Sequence, residues 1–479
     1  MPVNSLEHQN SAFAQLRPPT QPALPTVSPP TSTHTLPAVL DCHTRRSGSS
    51  DSDRTSGDSG RRPDRGDRHR RRVRLGGFGR PRVAFHLNTT RHSDFDILCV
   101  DTGTRSVPAI EASKRVREET NALLSAGRSR LYKKVDSTLR GNVAAETAAI
   151  LEASNAPFAF VAPAFPATGR TQRDGILYVD GTPLAHATED QDKMGHAATS
   201  SVVELLQRQA SLQCGLVPLA DVENGETAIA TRIEVLLADG CSALAIDAVT
   251  TEHLRRIDSV IASQFPTGLP VGSAGLASAI AHRIGGASAQ PAPTPTPTSK
   301  PIIVVSGSLN AVSVRQGNHL TARPEVKMIP MDTGPLLDSP EGTDLALDLI
   351  LSELQTTFAS GLNPFLTWVG PNPKKAAPDH RQRSRQLNMA LSSLMKRVVA
   401  GVHNIGRLVL VGGDTTQAVL TGFGAHGISM RSEVMPGISV GAVVGGDANS
   451  TPVIAKAGGF GEDDALSRAM EYLRGGLRA

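Results

Sequence analysis

From Val83 onward the chain alternates short apolar runs with helix-forming stretches, and this alternation leaves few folds open. Apolar strands are read at Asp96–Val100, Pro157–Val161, Ala243–Ile246 and Leu269–Val271, separated by helical stretches such as Glu111–Ala126 and Ser201–Gln209. Interleaving of this kind implies an α/β architecture with a largely parallel sheet. The pattern stops near Gly286. Ala287–Lys300, ASAQPAPTPTPTSK, has the composition of a semi-rigid, extended linker. A second α/β unit opens at Pro301 with PIIVVSG and carries a polar insertion, Pro371–Arg385, read as a surface loop. The expectation is two α/β domains with largely parallel sheets, 83–286 and 301–479, joined by the Pro/Thr-rich linker 287–300 and preceded by an aberrant basic segment, 1–82.

Hydrophobic residues make up 39% of the chain and aromatics only 3%, so the cores must be built from Ala, Val, Leu and Ile. No apolar run approaches the ~20 residues of a membrane span and the N-terminus lacks a signal pattern, so a cytoplasmic protein with no membrane partner is expected. Cys42, Cys99, Cys214 and Cys241 lie without metal-ligand spacing and read as reduced thiols, with no metal site. The net charge of +4 conceals an arginine-rich run from Arg54 to Arg82. At face value this is a disordered basic arm, but with no lysine and only Phe78 for stacking it predicts no specific nucleic acid partner.

Lys133–Asn142, KKVDSTLRGN, concentrates cations, hydroxyls and an aspartate as no packing need would. It leads from an apolar strand into a helix former, VAAETAAILEA, with Asn142 read as N-cap and Glu146 in the first turn. Such a strand-to-helix loop suits an anion, although a solvated turn is about as common for the string alone. In the second unit SGSLN (306–310), GGDTT (412–416) and KAGGFG (456–461) each follow an apolar strand. Turns of this type gather at the carboxyl edge of a parallel sheet, where glycines admit phosphate oxygens close to backbone N–H groups and Lys456 can neutralise charge. None matches a P-loop, and no GxGxxG lies between a strand and a helix, which argues against P-loop kinases and Rossmann dehydrogenases.

Together with VAPAFPATGRTQRDGILYVDGTPL (161–184), VGSAGLA (271–277) and MPGISVG (435–441), these strings resemble the four-carbon acid sugar kinase family, in order, from about Val83 to Arg474. The KKxDSTLRGN form resembles its threonate and erythronate branch rather than the 3-oxo-tetronate branch. The resemblance implies a sugar-acid-binding domain followed by a nucleotide-binding domain, and transfer of the ATP γ-phosphate to a terminal hydroxyl, with Mg²⁺ bridging the phosphates. It implies that Ser306, Ser308, Gly412, Gly413, Asp414, Thr415, Gly458 and Gly459 cradle ATP, with Lys456 beside its phosphates. Lys133, Asp136, Ser137 and Arg140 would surround the sugar hydroxyls and the transferred phosphate, Arg105 in DTGTRS would clamp the carboxylate, and Arg170 with Asp174 would complete the pocket. Asp101, Asp174 and Asp247 also fit as turn caps, and His186 and His196 read as surface residues. The partner implied is a small-molecule sugar acid; the oligomeric state, monomer or homodimer, is left open.

One departure stands out. Where family members carry a strand followed by ADDLTGA, this chain reads GRRPDRGDRH, Gly60–His69. Encoded as GGC CGA CGA CCT GAC CGG GGC GAC CGA CAC, the same bases moved one nucleotide forward translate as ADDLTGATD followed by an ACN codon for Thr. We therefore read roughly Gly57–Arg80 as an out-of-frame translation, with the family frame resuming near Val83. The chain as written would then lack its first strand and part of its active site. If the frame is genuine, the alternative is a catalytically impaired protein of the same fold that binds nucleotide and sugar acid.

Overall fold

The computed structural model describes residues 38–41, 83–86, 96–105, 107–187, 199–210, 212–285, 300–308, 311–370, 380–401, 405–435 and 437–475. The arginine-rich run, nearly all of the linker, His196 and most of the polar insertion lie outside these residues. In chain order the strands of the N-terminal half are β1 (Ala38–Asp41), β2 (Val83–His86), β3 (Ile97–Asp101), β4 (Leu131–Lys134), β5 (Ala159–Ala162), β6 (Arg170–Arg173), β7 (Ile176–Val179), β8 (Thr182–Pro183), β9 (Cys214–Val217), β10 (Ala243–Ile246) and β11 (Leu269–Gly272). The C-terminal half contributes β12 (Ile302–Ser306), β13 (Val326–Asp332), β14 (Asn363–Val369), β15 (Arg407–Val411), β16 (Gly427–Met435), β17 (Ile438–Val444) and β18 (Pro452–Lys456).

Every residue of β5, β10, β12 and β15 is buried. Strands covered on both faces read as continuous apolar runs, which is why these were visible in the sequence. Ile303 packs with Leu354, Leu394 and Leu410 on one face, and its neighbour Val304 with Val409, Leu466 and Tyr472 on the other, as the pleat requires. In the N-terminal half Val161 and Phe160 divide in the same way, toward Leu123 and Ile150 or toward Ile229 and Ile257.

The α/β class is as expected, but the halves do not carry separate sheets. One parallel block is ordered β2-β3-β1-β4-β11-β5-β10-β9 and the other β13-β14-β12-β15-β18. Between them β17 and β16 pair antiparallel with β18, with each other and with β2, giving a single 15-stranded sheet. The hairpin satisfies backbone groups that the block edges β18 and β2 would otherwise expose. Two register shifts interrupt its ladder, between Met430 and Ser432 and between Glu433 and Met435. Three successive antiparallel pairings also make the two parallel blocks run in opposite directions.

The expected loss of a first strand is corrected. β1 occupies a slot between β3 and β4, with Asp41 opposite Asp101 and Leu40 opposite Lys133. β6, β7 and β8 form a small separate antiparallel sheet. The polar insertion is shorter than read, because a helix begins at His380 and continues to Gly401. Cys214 and Cys241 are free thiols. No helix among the described residues is long and apolar enough to cross a membrane.

Candidate active site

The three glycine-rich turns of the C-terminal half converge. β12, β15 and β18 are adjacent parallel strands, with Ser306 level with Val411 and Val411 level with Lys456, so all three turns leave one edge at one height. The Gly307 N–H donates to Thr415 Oγ1 at 3.1 Å, and Gly412 N–H to the Lys456 carbonyl at 2.8 Å. A Cβ on Gly307 would lie 2.2 Å from Thr415 Oγ1, and one on Gly458 would lie 2.5 Å from Ser308 Oγ, so both positions admit only glycine without displacement. Gly412, at φ +100°, turns the chain into the Gly413–Gly422 helix, whose first residues Gly413 and Asp414 are exposed. Ser306 is buried and Ser308 half-buried beside them.

Lys456 is buried at the centre of this group. Its amine donates to the carbonyls of Ala457 at 2.9 Å and Gly458 at 3.2 Å, and burial pulls its pKa down to about 8. Two residues that motif reading missed hold the loop behind it. Ser313 Oγ donates to the Gly458 carbonyl at 2.6 Å, and Gln316 Nε2 faces the carbonyls of Phe460, Gly461 and Glu462 at 2.8–3.0 Å. Both lie on the inner side of the Ala311–Thr321 helix. A polar pair three residues apart on a buried helix face was the available signal.

In the N-terminal half, both lysines of KKVDSTLRGN belong to β4 rather than to the loop. Lys133, expected around the sugar, is sealed inside with its amine 2.5 Å from the Glu146 carboxylate, and neither side chain is exposed. Glu146 is therefore a buried counter-charge rather than only a helix-dipole residue. Asn142 precedes the Val143–Ser154 helix but makes no side-chain cap. Its amide donates instead to the carbonyls of Thr104 at 2.9 Å and Val107 at 3.0 Å, tying the DTGTRS loop to this one. Between them Asp136, nearly buried, accepts from Thr138 Oγ1 at 2.6 Å and from both Nε and Nη2 of Arg140. Leu139 adopts φ +54° and Gly141 φ +98°, a tight backbone reversal that brings Arg140 back onto Asp136. Ser137 and Arg105 are half-buried in these two loops. Asp101 caps its own turn, accepting from the Gly103 N–H at 2.9 Å.

Replacing Glu146 by Gln removes the carboxylate facing a buried ammonium. Glu146→Gln is expected to destabilise the fold by about 3–5 kcal/mol, seen as a lower urea midpoint at unchanged slope. An unchanged midpoint would show that the pair contributes nothing.

The remaining expected pocket residues separate. Arg170 starts β6 and donates to the Thr168 carbonyl, whereas Asp174 sits at the other end of β6, exposed at φ +51° in the turn to β7. The structure therefore does not bring Asp174 together with Arg170. Asp247 anchors that turn from inside, accepting from Gln172 Nε2, Gly175 N–H and Leu219 N–H, each at 3.0 Å. Burial raises its pKa while these donors oppose the shift. It is a structural hub. His186 is exposed on the short Leu184–Ala187 helix. Among the described residues no three His, Cys, Asp or Glu side chains gather as a metal site.

A glycine cradle with a buried lysine at one strand edge, and an ion-paired hydroxyl-rich loop in a second parallel block, define an α/β protein of the two-site, phosphate-handling class. Residues 73–280 match the model of a sugar-binding N-terminal domain, and residues 303–466 that of a nucleotide-binding C-terminal domain. The chain is 29% identical to the D-threonate kinase of Salmonella typhimurium, over 79% of this chain and 89% of that protein. It is 32% identical to the D-threonate kinase of Bordetella bronchiseptica, over 79% and 86%. The crystal structure of Haemophilus influenzae protein HI1011 shares the fold, with a TM-score of 0.63 at 22% identity over 82% of this chain and 94% of that one. The chain belongs to the four-carbon acid sugar kinase family. The sugar-domain match begins past Gly60–His69.

Proposed function

We propose that the protein transfers the γ-phosphoryl group of ATP to the terminal hydroxyl of a four-carbon sugar acid of the threonate or erythronate class, in the cytoplasm. In this reading 83–286 is the sugar-acid domain and 301–479 the nucleotide domain. The observation that carries it is the convergence of three glycine turns at one strand edge beside the buried Lys456, packed so closely that a Cβ at Gly307 or Gly458 would collide with Thr415 Oγ1 or Ser308 Oγ. Phosphoryl transfer asks of a protein mainly alignment and charge neutralisation, and such a cradle offers both.

Ser306, Ser308, Gly412, Gly413, Asp414, Thr415, Gly458 and Gly459 bind the nucleotide, with Lys456 against its phosphates. Mg²⁺ brought with the nucleotide would be held beside Asp414 and would supply further charge neutralisation there. Arg105 and Arg170 receive the substrate carboxylate, and Ser137 and Arg140 the hydroxyls and incoming phosphoryl group. Asp136, oriented by Thr138 and Arg140, accepts the proton as the hydroxyl oxygen bonds to phosphorus and the bond to the departing ADP breaks. Lys133 supports the loop from beneath through Glu146.

The test is ADP release by the purified protein with threonate or erythronate, followed by phosphorus NMR of the product. Acid-dependent ADP formation with a new phosphomonoester on the terminal oxygen is expected. Nucleotide binding without acid-dependent release would overturn the kinase reading and identify a silent binder.

A further inference from the structure

Five carbonyl groups of the loop after Lys456, those of Ala457, Gly458, Phe460, Gly461 and Glu462, are held by side chains packed behind it. Lys456 Nζ takes those of Ala457 and Gly458, Ser313 Oγ takes Gly458 again, and the single Gln316 amide group takes Phe460, Gly461 and Glu462. In a planar trans peptide the N–H points opposite to the carbonyl. The N–H groups of Gly458, Gly459, Gly461, Glu462 and Asp463 are thereby directed away from these donors, and among the described residues none has an acceptor. The loop is a polarised ribbon, carbonyls inward and amides outward, as in backbone nests that hold anions.

Gln316 is completely buried, and its Oε1 has no partner among the described residues, so the side chain is placed for its donors alone. The space is tight as well. Gly461, at φ +83°, lies where a Cβ would meet the Ala465 Cβ at 2.9 Å. The same helix begins just beyond Ser306–Ser308, and its exposed Arg315 pairs with Asp463 at 3.1 Å. One helix therefore aligns two of the three turns.

We propose that Gln316 is a positioning residue for the nucleotide: by holding the carbonyls of Phe460, Gly461 and Glu462 it presents the amides of Gly461, Glu462 and Asp463 to the phosphates of ATP. This rests on the nucleotide site proposed above. It acts through the backbone and touches no substrate atom.

The experiment measures ATP affinity by calorimetry, and KM for ATP and for the sugar acid, in wild type, Gln316→Leu and Ser313→Ala. Gln316→Leu keeps bulk but removes the donors, and ATP affinity is expected to fall about tenfold or more, with the sugar-acid KM unchanged. Ser313→Ala, which loses one bond on a milder background, should weaken ATP about two- to fivefold. A folded Gln316→Leu with wild-type ATP affinity, or one that loses ATP and sugar acid equally, overturns the proposal, and so does an unaffected Ser313→Ala if Gln316→Leu fails to fold. A wild-type protein that binds no ATP would instead overturn the nucleotide site itself, and the role of Gln316 with it.

Discussion

Lys456→Met is expected to lower kcat/KM for ATP by about 10²–10³-fold, the usual loss when one preorganised donor to a developing oxyanion is removed. The amine is buried and donates to its own loop, so no solvent or neighbouring cation substitutes for it at low cost. Burial has brought its pKa to about 8, from 10.5. It is charged below pH 8 and neutral above, so wild-type affinity for nucleotide should fall as pH rises through that point. In Lys456→Met this alkaline limb should disappear. Arriving phosphates favour the charged form again, so binding at a pH just above 8 should draw a proton from solution. Calorimetry in two buffers of different ionisation enthalpy reads that uptake, which should be absent from the variant. Stability follows the same linkage. Between about 8 and 10.5 the unfolded chain binds a proton that the folded chain does not, so stability contributed by this group rises with pH across that window, and the fold carries the burden of a buried charge below it. Met relieves that burden, so lost activity with retained stability would separate chemistry from unfolding. An unchanged alkaline limb in Lys456→Met would remove the residue from the phosphate site.

The second large effect concerns Gly60–His69. The coding DNA for Gly57–Val83, translated one nucleotide forward, is expected to read ADDLTGA followed by an apolar helix. A chain carrying that segment should turn over about 10²–10⁴-fold faster than this one, the range supplied by a positioned acid–base group. Asp41 ends a strand between β3 and β4, beside Asp101 and on the same strand edge as the Asp136 loop, so that slot adjoins the proposed acceptor site. A shifted frame with no recognisable motif would sink this account and leave the arginine run as the authentic sequence.

How much was legible in the sequence depended on the range of the cause. The strands Ala243–Ile246 and Arg407–Val411 were visible because burial on both faces writes an unbroken apolar run. The convergence of the glycine turns followed from the rule that parallel strands share a carboxyl edge. What escaped depended on partners distant in the chain. Asn142 has the residue type and position of a cap, yet two carbonyls 38 and 35 residues away take its amide. Glu146 looks like any acidic first-turn residue until β4 delivers Lys133 beneath it. Asp174 shares one family-like string with Arg170, but the hairpin sends them to opposite ends of a strand. Gln316 carries no motif at all, because its role is written in carbonyl directions and not in side-chain spacing.

The hairpin between β18 and β2 has a mechanical meaning. The proposed donor and acceptor sites are attached to one hydrogen-bonded fabric, and four strand spacings separate β18 from β3. At about 4.8 Å each, that is roughly 19 Å across the strands, and because the two blocks run in opposite directions their carboxyl edges also face opposite ways. Their relative aim is a torsional property, accumulated as twist from strand to strand and adjusted where the β16 ladder slips. Substitutions at these slips would retune the angle between the two sites while leaving every group in either of them intact.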